Sequence, residues 1–316
     1  MVEEKQCNNH TEVLKKNGFS IYHQNICGLA NKTSEIYAHL YPELPQVLCF
    51  TEHHLNYSQI ENVTIANYNL GTSYCRKSFI KGGVFIYLHN TLDYEPVSVN
   101  ELCIDKAMEV CAVKCKFLYS TFCILAFYRS PSSNFSLFIT QLEAVINKIY
   151  KPNLLMIVCG DFNINYLEDN KMKQQLNYIL QSFTLSSVVY FPTRSCTTTQ
   201  TLIDNIFIDI TKFENYLISP VFNGLCDHDG QLLFVHQKEI SRERTNLNLK
   251  IIRTFNNCSL DDFKLSLSFE TWETVFNAVD NNIDSVFNNF VDVYLQIFNA
   301  SFPKRKFTNI FPPNNG

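Results

Sequence analysis

Acidic and polar residues stand at the ends of apolar segments at several places in the sequence. The set consists of Glu52, Asp161, Asp204 and Asp227, with Asn25, Asn163 and His228 beside them. Carboxylate and amide oxygens are hard ligands that suit Mg²⁺ or Mn²⁺. A histidine oriented by a neighbouring carboxylate stays cationic and can face a phosphate oxygen. These residue types therefore favour a divalent-cation site that acts on a phosphate group.

Each of these residues, taken alone, has a simpler interpretation. Asp161 also fits a turn after a buried strand, and Glu52 fits an exposed loop acid. Asn25 fits a turn residue, and His228 fits a surface imidazole. Asp204 is the hardest to explain in this way, because an acid inside an apolar strand is costly unless it is paired or coordinated. The site hypothesis therefore depends on all of them occurring together.

Apolar periodicity predicts the strands and helices that must position these residues. Strands are predicted at 19–25, 47–51, 82–88, 108–114, 122–128, 154–160, 187–191, 202–208 and 231–236. Helices are predicted at 35–40, 135–150 and 171–182. Several strands follow one another in hairpin order, so the pattern indicates an α+β sandwich of two sheets flanked by helices.

The composition is that of a globular protein with a large core. Of the 316 residues, 46% are hydrophobic and 18% are charged, and this length can hold one large domain, or one of about 240 residues and an appendage. No apolar run of about 18 residues occurs, so no membrane span is expected, and a membrane is not among the expected partners. The polar N-terminus lacks a signal-peptide core, which predicts an intracellular protein that is not secreted.

The cysteines and the net charge exclude some classes of protein. The 12 cysteines lie mostly in apolar strands and form no C-x-x-C pair, which indicates reduced thiols rather than disulfides or a zinc site. A net charge of −4 argues against a broad basic surface for nonspecific nucleic-acid binding. It does not exclude a nuclease, because acidic metal ligands are themselves negative and a bound cation reverses the local sign.

A change of composition near residue 238 predicts a domain boundary. We predict a lead-in at 1–18, a main domain at 19–238, a basic linker at 239–258, a helical connector at 259–306 and a disordered tail at 307–316. Ser259, followed by Asp261 and Asp262, predicts the N-cap of the first connector helix.

Eight short segments, in this order, resemble the endonuclease/exonuclease/phosphatase superfamily. They are 23–29, 51–55, 82–84, 127–131, 160–163, 192–194, 202–206 and 226–229. They are most similar to the apurinic-endonuclease-like nuclease domain of jockey-type non-LTR retrotransposons, and 239–306 resembles the connector to the reverse transcriptase of such elements. The reverse transcriptase part itself is missing here. We therefore expect a fragment of an element or a piece retained by a host.

The resemblance implies a fold class and a cation site. The fold would be the DNase I-like four-layer α/β/β/α sandwich of two mostly antiparallel sheets flanked by helices, with a C-terminal helical appendage. Glu52 would be the principal metal ligand, assisted by Asn25 and Asp227. The cation would be Mg²⁺, with Mn²⁺ as a substitute.

The resemblance also implies catalytic roles for five residues. Asp161 would position or deprotonate the attacking water, supported by Asn163, which would bind a phosphate oxygen. Tyr128 would contact the scissile phosphate. His228, oriented by Asp204, would stabilise the charge that develops on phosphorus.

Three further residues within the matched segments are predicted to contact the substrate: Arg129, Thr193 and Arg194. Some positions depart from the family pattern. His54 stands where many relatives have Trp, and Cys226 replaces the more usual Ser. No Trp precedes Asp204, which argues against strict specificity for abasic sites.

The function implied is a metal-dependent endonuclease that nicks one strand of double-stranded DNA and leaves a 3′-hydroxyl for target-primed reverse transcription. Element RNA or a reverse transcriptase domain would be further partners, and a DNA substrate would place the protein in the nucleus. Two alternatives remain open at this point. One is an inactive, retrotransposon-derived binding module, and the other is a phosphoesterase acting on lipid or inositol phosphates.

Overall fold

The structure is a computed structural model that describes residues 18–79, 81–196, 198–237, 249–253, 257–276, 282–303 and 305–308. The chain divides into two compact units, residues 1–239 and residues 240–316. The predicted lead-in and most of the predicted linker lie outside the described residues. Within the described ranges, no helix is both long and apolar enough to cross a membrane.

The first unit is built from fourteen strands and four α-helices among its described residues. In chain order they are β1 (Phe19–Asn25), α1 (Thr33–Leu40), β2 (Val47–Thr51), α2 (Tyr57–Ile60), β3 (Tyr68–Tyr74), β4 (Val84–His89), β5 (Asp93–Val97), β6 (Glu109–Phe117), β7 (Ser120–Tyr128), α3 (Phe135–Ile149), β8 (Leu155–Asp161), α4 (Lys171–Ser182), β9 (Ser186–Ser187), β10 (Arg194–Ser195), β11 (Gln200–Thr201), β12 (Asp204–Ile208), β13 (Phe213–Val221) and β14 (Gly230–Gln237).

Twelve of these strands form two six-stranded sheets. Their orders are β13-β14-β1-β2-β4-β3 and β5-β6-β7-β8-β12-β9, while β10 and β11 form a separate two-stranded ribbon. Neighbours are antiparallel except for one parallel pair in each sheet, β1 with β2 and β7 with β8. The predicted class of two mostly antiparallel sheets is therefore confirmed.

Three apolar clusters separate four layers. The central cluster joins inward-facing residues of both sheets, such as Ile21 and Ile157. The outer face of the second sheet is covered by α3 and α4, through residues such as Phe138 and Leu176. The outer face of the first sheet is covered by α1, where Ile36 is buried. Alternation along the strands directs one set of side chains to the centre and the other to a helical layer.

Strand register brings distant chain positions to one end of the sandwich. In the first sheet Asn25 pairs with Thr51, the residue before Glu52. In the second sheet Asp161 pairs with Tyr128 on one side and with Asp204 on the other. Gly160 allows β7 and β8 to approach closely there, because a Cβ at residue 160 would lie 2.0 Å from the Phe127 carbonyl oxygen.

The sequence-based strand predictions failed mainly at the sheet edges. They missed β3, β5 and β13, each of which is an edge strand. An edge strand exposes more of its length to water, so its apolar alternation is weaker. Of the strand predicted at 187–191, only residue 187 lies in a strand, the two-residue β9 (Ser186–Ser187). The strand predicted at 202–208 begins at Asp204, so this acid lies at a strand end rather than in the interior.

The second unit contains three helices and a strand pair among its described residues. These are β15 (Leu249–Ile252), α5 (Asn257–Phe269), α6 (Glu273–Phe276), α7 (Ile283–Ser301) and β16 (Arg305–Thr308), with β15 antiparallel to β16. Aromatic rings pack the helices together, as in the stacking of Trp272 on Phe290 at 5.2 Å between ring centroids.

Three predictions for this unit differ from the structure. Ser259 lies inside α5 and is not its N-cap. The predicted linker contains β15, and the predicted disordered tail overlaps β16 at residues 307–308. These two short strands pair with each other although three helices separate them in the sequence. Local composition does not predict a pairing over such a distance along the chain.

Candidate active site

The site is a cluster of polar side chains that join the two sheets at one end of the sandwich. Asn25 links them directly, since its Nδ2 donates to Glu52 Oε1 at 3.1 Å and to Asp161 Oδ2 at 2.9 Å. Glu52 follows a strand of the first sheet, and Asp161 ends a strand of the second. The structure therefore brings together two carboxylates that are 109 residues apart in the numbering of the chain.

Glu52 is held ionised by three neighbours. Its Oε2 contacts His54 Nε2 at 3.0 Å, and the Tyr128 hydroxyl also donates to it. Burial alone would raise the pKa of Glu52, but the hydrogen bonds from His54, Tyr128 and Asn25 lower it to about 2. Burial and the Glu52 charge raise the pKa of Tyr128, so this phenol remains a hydrogen-bond donor.

Asp161 is buried and has the opposite electrostatic character. The backbone N–H of Asn163 donates to Asp161 Oδ1 at 2.9 Å. Burial, followed by the charge of Asp204, raises the pKa of Asp161 even though His228 and Asn25 favour its ionised form. A buried carboxylate with a raised pKa can accept a proton near neutral pH.

His228 is oriented by Asp204. The two side chains meet at 2.8 Å between Nδ1 and Oδ2, and both are almost fully buried. Burial alone would lower the pKa of His228, but Asp204, together with Asp161 and Asp227, raises it to about 9. The ring is therefore an imidazolium at neutral pH. Its Nδ1–H is committed to Asp204, which leaves Nε2–H as the second donor.

Thr193 holds Asp204 in place through hydrogen bonds. Its hydroxyl donates to Asp204 Oδ2 at 2.9 Å and accepts the backbone N–H groups of Ile203 and Asp204 at 3.2 and 3.1 Å. Thr193 is completely buried. Thr193 was predicted to contact the substrate, but in the structure it is buried and contacts Asp204.

Arg129 and Asn163 are likewise engaged with the protein itself. Arg129 is buried, and its Nη1 donates to the carbonyls of Phe162 and Asn163 at 3.1 and 3.2 Å. Asn163 Nδ2 donates in turn to the Arg129 carbonyl at 2.7 Å. These bonds fix the loop after β8 and so fix Asp161.

Arg194 and Asp227 form an ion pair at the rim of the cluster. Arg194 Nε and Asp227 Oδ2 are 2.7 Å apart, and both side chains are more than one third exposed. In the structure the Asp227 carboxylate is therefore engaged by Arg194. Arg194 is the member of the predicted substrate-binding trio that reaches solvent.

Sequence reasoning missed several residues that support the cluster. Gln24 Nε2 donates to the His228 carbonyl at 2.8 Å, and His23 lies beside Asp204 and His228. Arg76 and Glu109 form a buried ion pair at 2.5 Å, and Arg76 also lies over the Tyr128 ring. Gln24 and His23 could have been found from the sequence, because both are polar residues within the strand predicted at 19–25.

The cluster can hold a divalent cation. Asp161, Asp204 and His228 offer ligand atoms within 4.8 Å of one another. A protonated His228 is a poor ligand, however, because metal binding requires the neutral imidazole. The oxygen donors of Glu52, Asp161 and Asn25 fit a hard cation better, since Mg²⁺ and Mn²⁺ prefer carboxylate and carbonyl oxygens.

The turn that carries Glu52 gives a prediction about acid stability. Burial lowers the pKa of the neighbouring His53 from 6.5 to about 4, so the folded protein keeps this imidazole neutral while the unfolded chain protonates it. The stabilisation is complete above pH 6.5 and is lost as the pH falls towards 4. We expect a loss of about 2 kcal/mol between pH 7 and pH 5, measured by chemical denaturation without divalent cations.

His53→Asn should reduce this pH dependence by the same amount, whatever it does to absolute stability. His39→Asn, at an exposed position, is the matched control. An identical pH dependence in the wild type and His53→Asn would contradict the prediction.

Comparison with known proteins gives matches at the level of structure. No family model and no curated protein matches the sequence. The endonuclease domain of TRAS1, a telomere-specific non-LTR retrotransposon, is 15% identical with a TM-score of 0.56, and the match covers 70% of this chain and 99% of that one.

Two further solved structures are similar. TDP2 of D. rerio, complexed with a single-strand DNA product, is 13% identical with a TM-score of 0.50, covering 70% of this chain and 100% of that one. An endonuclease/exonuclease/phosphatase family protein from Leptotrichia buccalis is 14% identical with a TM-score of 0.50, covering 69% and 99%. The chain therefore shares the fold of these three solved structures, one of which is an endonuclease/exonuclease/phosphatase family protein.

Proposed function

We propose that this protein is a metal-dependent DNA endonuclease that hydrolyses one phosphodiester bond and leaves a 3′-hydroxyl. The observation that carries the proposal is the placement of the buried Asp161 beside His228: their ligand atoms and those of Asp204 lie within 4.8 Å of one another, and Asp204 Oδ2 holds His228 Nδ1 at 2.8 Å. Hydrolysis of a phosphodiester needs a group that accepts a proton from water and a cation that stabilises the charge developing on phosphorus. The two residues supply these functions within one cluster.

Each residue of the cluster has a proposed role that follows from its contacts. Asp161 positions the attacking water and takes its proton. His228 donates from Nε2 to a phosphate oxygen, while Asp204 holds the ring through Nδ1. Tyr128 would contact the same phosphate group by turning its hydroxyl away from Glu52, to which it donates in the structure. Asn163 supports Asp161 through its backbone N–H. Its side-chain Nδ2 would bind a phosphate oxygen only after releasing the Arg129 carbonyl, so support of Asp161 is its main proposed role.

Glu52 and Asn25 would hold the divalent cation, which when bound neutralises charge on the non-bridging phosphate oxygens. We retain Mg²⁺ as the proposed cation, with Mn²⁺ as a substitute. Asp227 would join them only by leaving Arg194, and a bound phosphate could attract that arginine. Arg194 is therefore the proposed substrate contact, whereas Arg129 and Thr193 are proposed to position Asp161 and Asp204.

The biological setting proposed is target-primed reverse transcription of a non-LTR retrotransposon. It is supported by the sequence segments that resemble jockey-type nuclease domains and by the structural likeness to the TRAS1 endonuclease domain. Double-stranded DNA is the proposed substrate and the nucleus the proposed site of action. Element RNA and a reverse transcriptase domain are proposed partners.

A plasmid nicking assay tests the proposed function. Supercoiled DNA should be converted to the open-circular form with Mg²⁺ or Mn²⁺, and EDTA should abolish the conversion. DNA polymerase should extend the nick directly, because the product carries a 3′-hydroxyl. DNA binding without nicking would instead indicate a binding module, and cleavage of phosphoinositides without nicking would indicate a phosphoesterase.

Thr193→Val should slow nicking by about tenfold while leaving DNA affinity unchanged. The change removes the hydroxyl that donates to Asp204 Oδ2, and a hydrogen bond to a charged group contributes about 1.5–3 kcal/mol. Single-turnover rates and DNA binding at fixed salt separate the two quantities. Thr199→Val, at an exposed position nearby, is the matched control. Weaker DNA binding at an unchanged rate would make Thr193 a substrate contact instead.

A further inference from the structure

The turn after β2 has an unusual backbone that places His54 against Glu52. Both residues have left-handed backbones, with φ angles of 54° for Glu52 and 59° for His54. Such conformations cost free energy in residues other than glycine and persist only where surrounding contacts maintain them. The turn therefore needs a structural support.

Backbone hydrogen bonds on both sides maintain this turn. The Gly28 N–H donates to the Glu52 carbonyl at 2.7 Å, and the His54 N–H donates to the Gly82 carbonyl at 2.9 Å. The buried His53 ring between them accepts the Leu55 N–H at 2.9 Å. The result is a rigid turn in which the side chains of residues 52 and 54 point towards each other.

The two oxygens of Glu52 have different partners. Oε1 accepts from Asn25 at 3.1 Å, and Oε2 contacts His54 Nε2 at 3.0 Å. Each oxygen of the carboxylate is thereby held by a different side chain. A ligating carboxylate that is fixed in advance binds a cation more tightly, because less conformational freedom is lost on binding.

Gly28 provides the space for the imidazole. A Cβ at residue 28 would lie 3.3 Å from His54 Nδ1, and the backbone there has a φ angle of 92°. The side chain of His54 remains 23% exposed and that of Glu52 20% exposed, so solvent reaches both members of this contact.

We propose that His54 is a positioning residue of the cation site, which donates Nε2–H to Glu52 Oε2 and so sets the affinity of the site for divalent cations. The inference rests on the proposed function in one respect, the assignment of Glu52 as a cation ligand. It adds a residue to the hydrogen-bonded surroundings of that ligand, where loss of one partner typically lowers metal affinity by about 10–100-fold.

Two substitutions separate the side-chain contact from the backbone requirement. His54→Asn keeps a residue that tolerates the left-handed conformation, but its shorter amide does not reach Glu52 Oε2. His54→Gln keeps a side-chain N–H donor of similar reach. Thermal unfolding without divalent cations is the check that both variants fold.

Calorimetric titration of the full chain with Mn²⁺, without DNA, measures the effect directly. We expect His54→Asn to raise the Kd by about 10–100-fold, and His54→Gln to remain within a few-fold of the wild type. An unchanged Kd in His54→Asn overturns the inference, and so does a wild-type protein that binds no Mn²⁺. Wild-type Mn²⁺ binding with the expected loss in His54→Asn, but without DNA nicking, would uphold the inference and refute the proposed function.

Discussion

Replacing His228 by alanine is expected to slow DNA nicking by at least about 100-fold. The loss corresponds to about 2.7 kcal/mol of transition-state stabilisation. His228 is the imidazolium of the cluster, held at 2.8 Å by Asp204, and the substitution removes its charge and its free Nε2–H together. DNA affinity should change much less, because this interaction strengthens only as charge develops on phosphorus.

The protonation of His228 can be measured separately from activity. In the metal-free protein, an NMR titration of this ring should give a pKa of about 9. The raised pKa means that its ion pair with Asp204 contributes stability that is complete below pH 6.5 and is lost as the pH rises through about 9. Asp204→Asn should shift the midpoint to lower pH, because it removes the main charge that favours the imidazolium.

The exposed His39 is the matched control for His228. His39→Ala should retain full nicking activity and an unchanged pH profile. A His228→Ala protein with normal activity would remove the imidazolium from the mechanism. A normal pKa for His228 would instead show that Asp204 does not stabilise its charged form.

Strand ends explain why so much of the cluster could be predicted from the sequence. Asp161 ends a buried apolar strand, Glu52 directly follows one, and Asn25 ends the buried strand β1. Parallel neighbours with aligned register place their carboxyl ends at one edge of a sheet. A polar residue at the end of an apolar strand is therefore visible as an interruption of an apolar run, and the structure brings two such residues, Glu52 and Asp161, to the same amide of Asn25.

Other features depend on contacts between residues that local sequence does not connect. The burial of Thr193 and Arg129 follows from the packing of loops after β8 and before β12, so their side chains support the cluster rather than face solvent. The ion pair between Arg194 and Asp227 joins positions 33 residues apart. Edge strands such as β5, with its sequence Asp-Tyr-Glu-Pro-Val, carry too little apolar alternation to be distinguished from loops.

Asp161→Asn is expected to abolish measurable nicking, with a loss of at least about 100-fold. An amide has nearly the same shape as a carboxylate, but it cannot accept the proton of the attacking water. It also removes one of the two carboxylates that share the Asn25 amide. The rate of the chemical step should fall even when the DNA is saturating.

The same substitution should stabilise the metal-free protein. Burial and Asp204 raise the pKa of Asp161, so between pH 3.8 and the raised value the folded protein binds more protons than the unfolded chain. Stability therefore falls as the pH rises through this interval. At neutral pH the Asp161 charge therefore lowers the stability of the folded protein, and the substitution removes this destabilisation. Thermal unfolding in EDTA should show a higher Tm for Asp161→Asn than for the wild type.

Divalent cations should reverse this order. Mn²⁺ should bind the folded wild type and raise its Tm by mass action, whereas the Tm of Asp161→Asn should rise less because this variant lacks one carboxylate near the cation.

Asp169→Asn, at an exposed position in the loop after β8, should match the wild type in activity, stability and response to Mn²⁺. An Asp161→Asn protein that is less stable than the wild type in EDTA would show that Asp161 holds the fold together. Higher stability combined with lost nicking would show that the carboxylate is retained at a cost to folding because the reaction requires it.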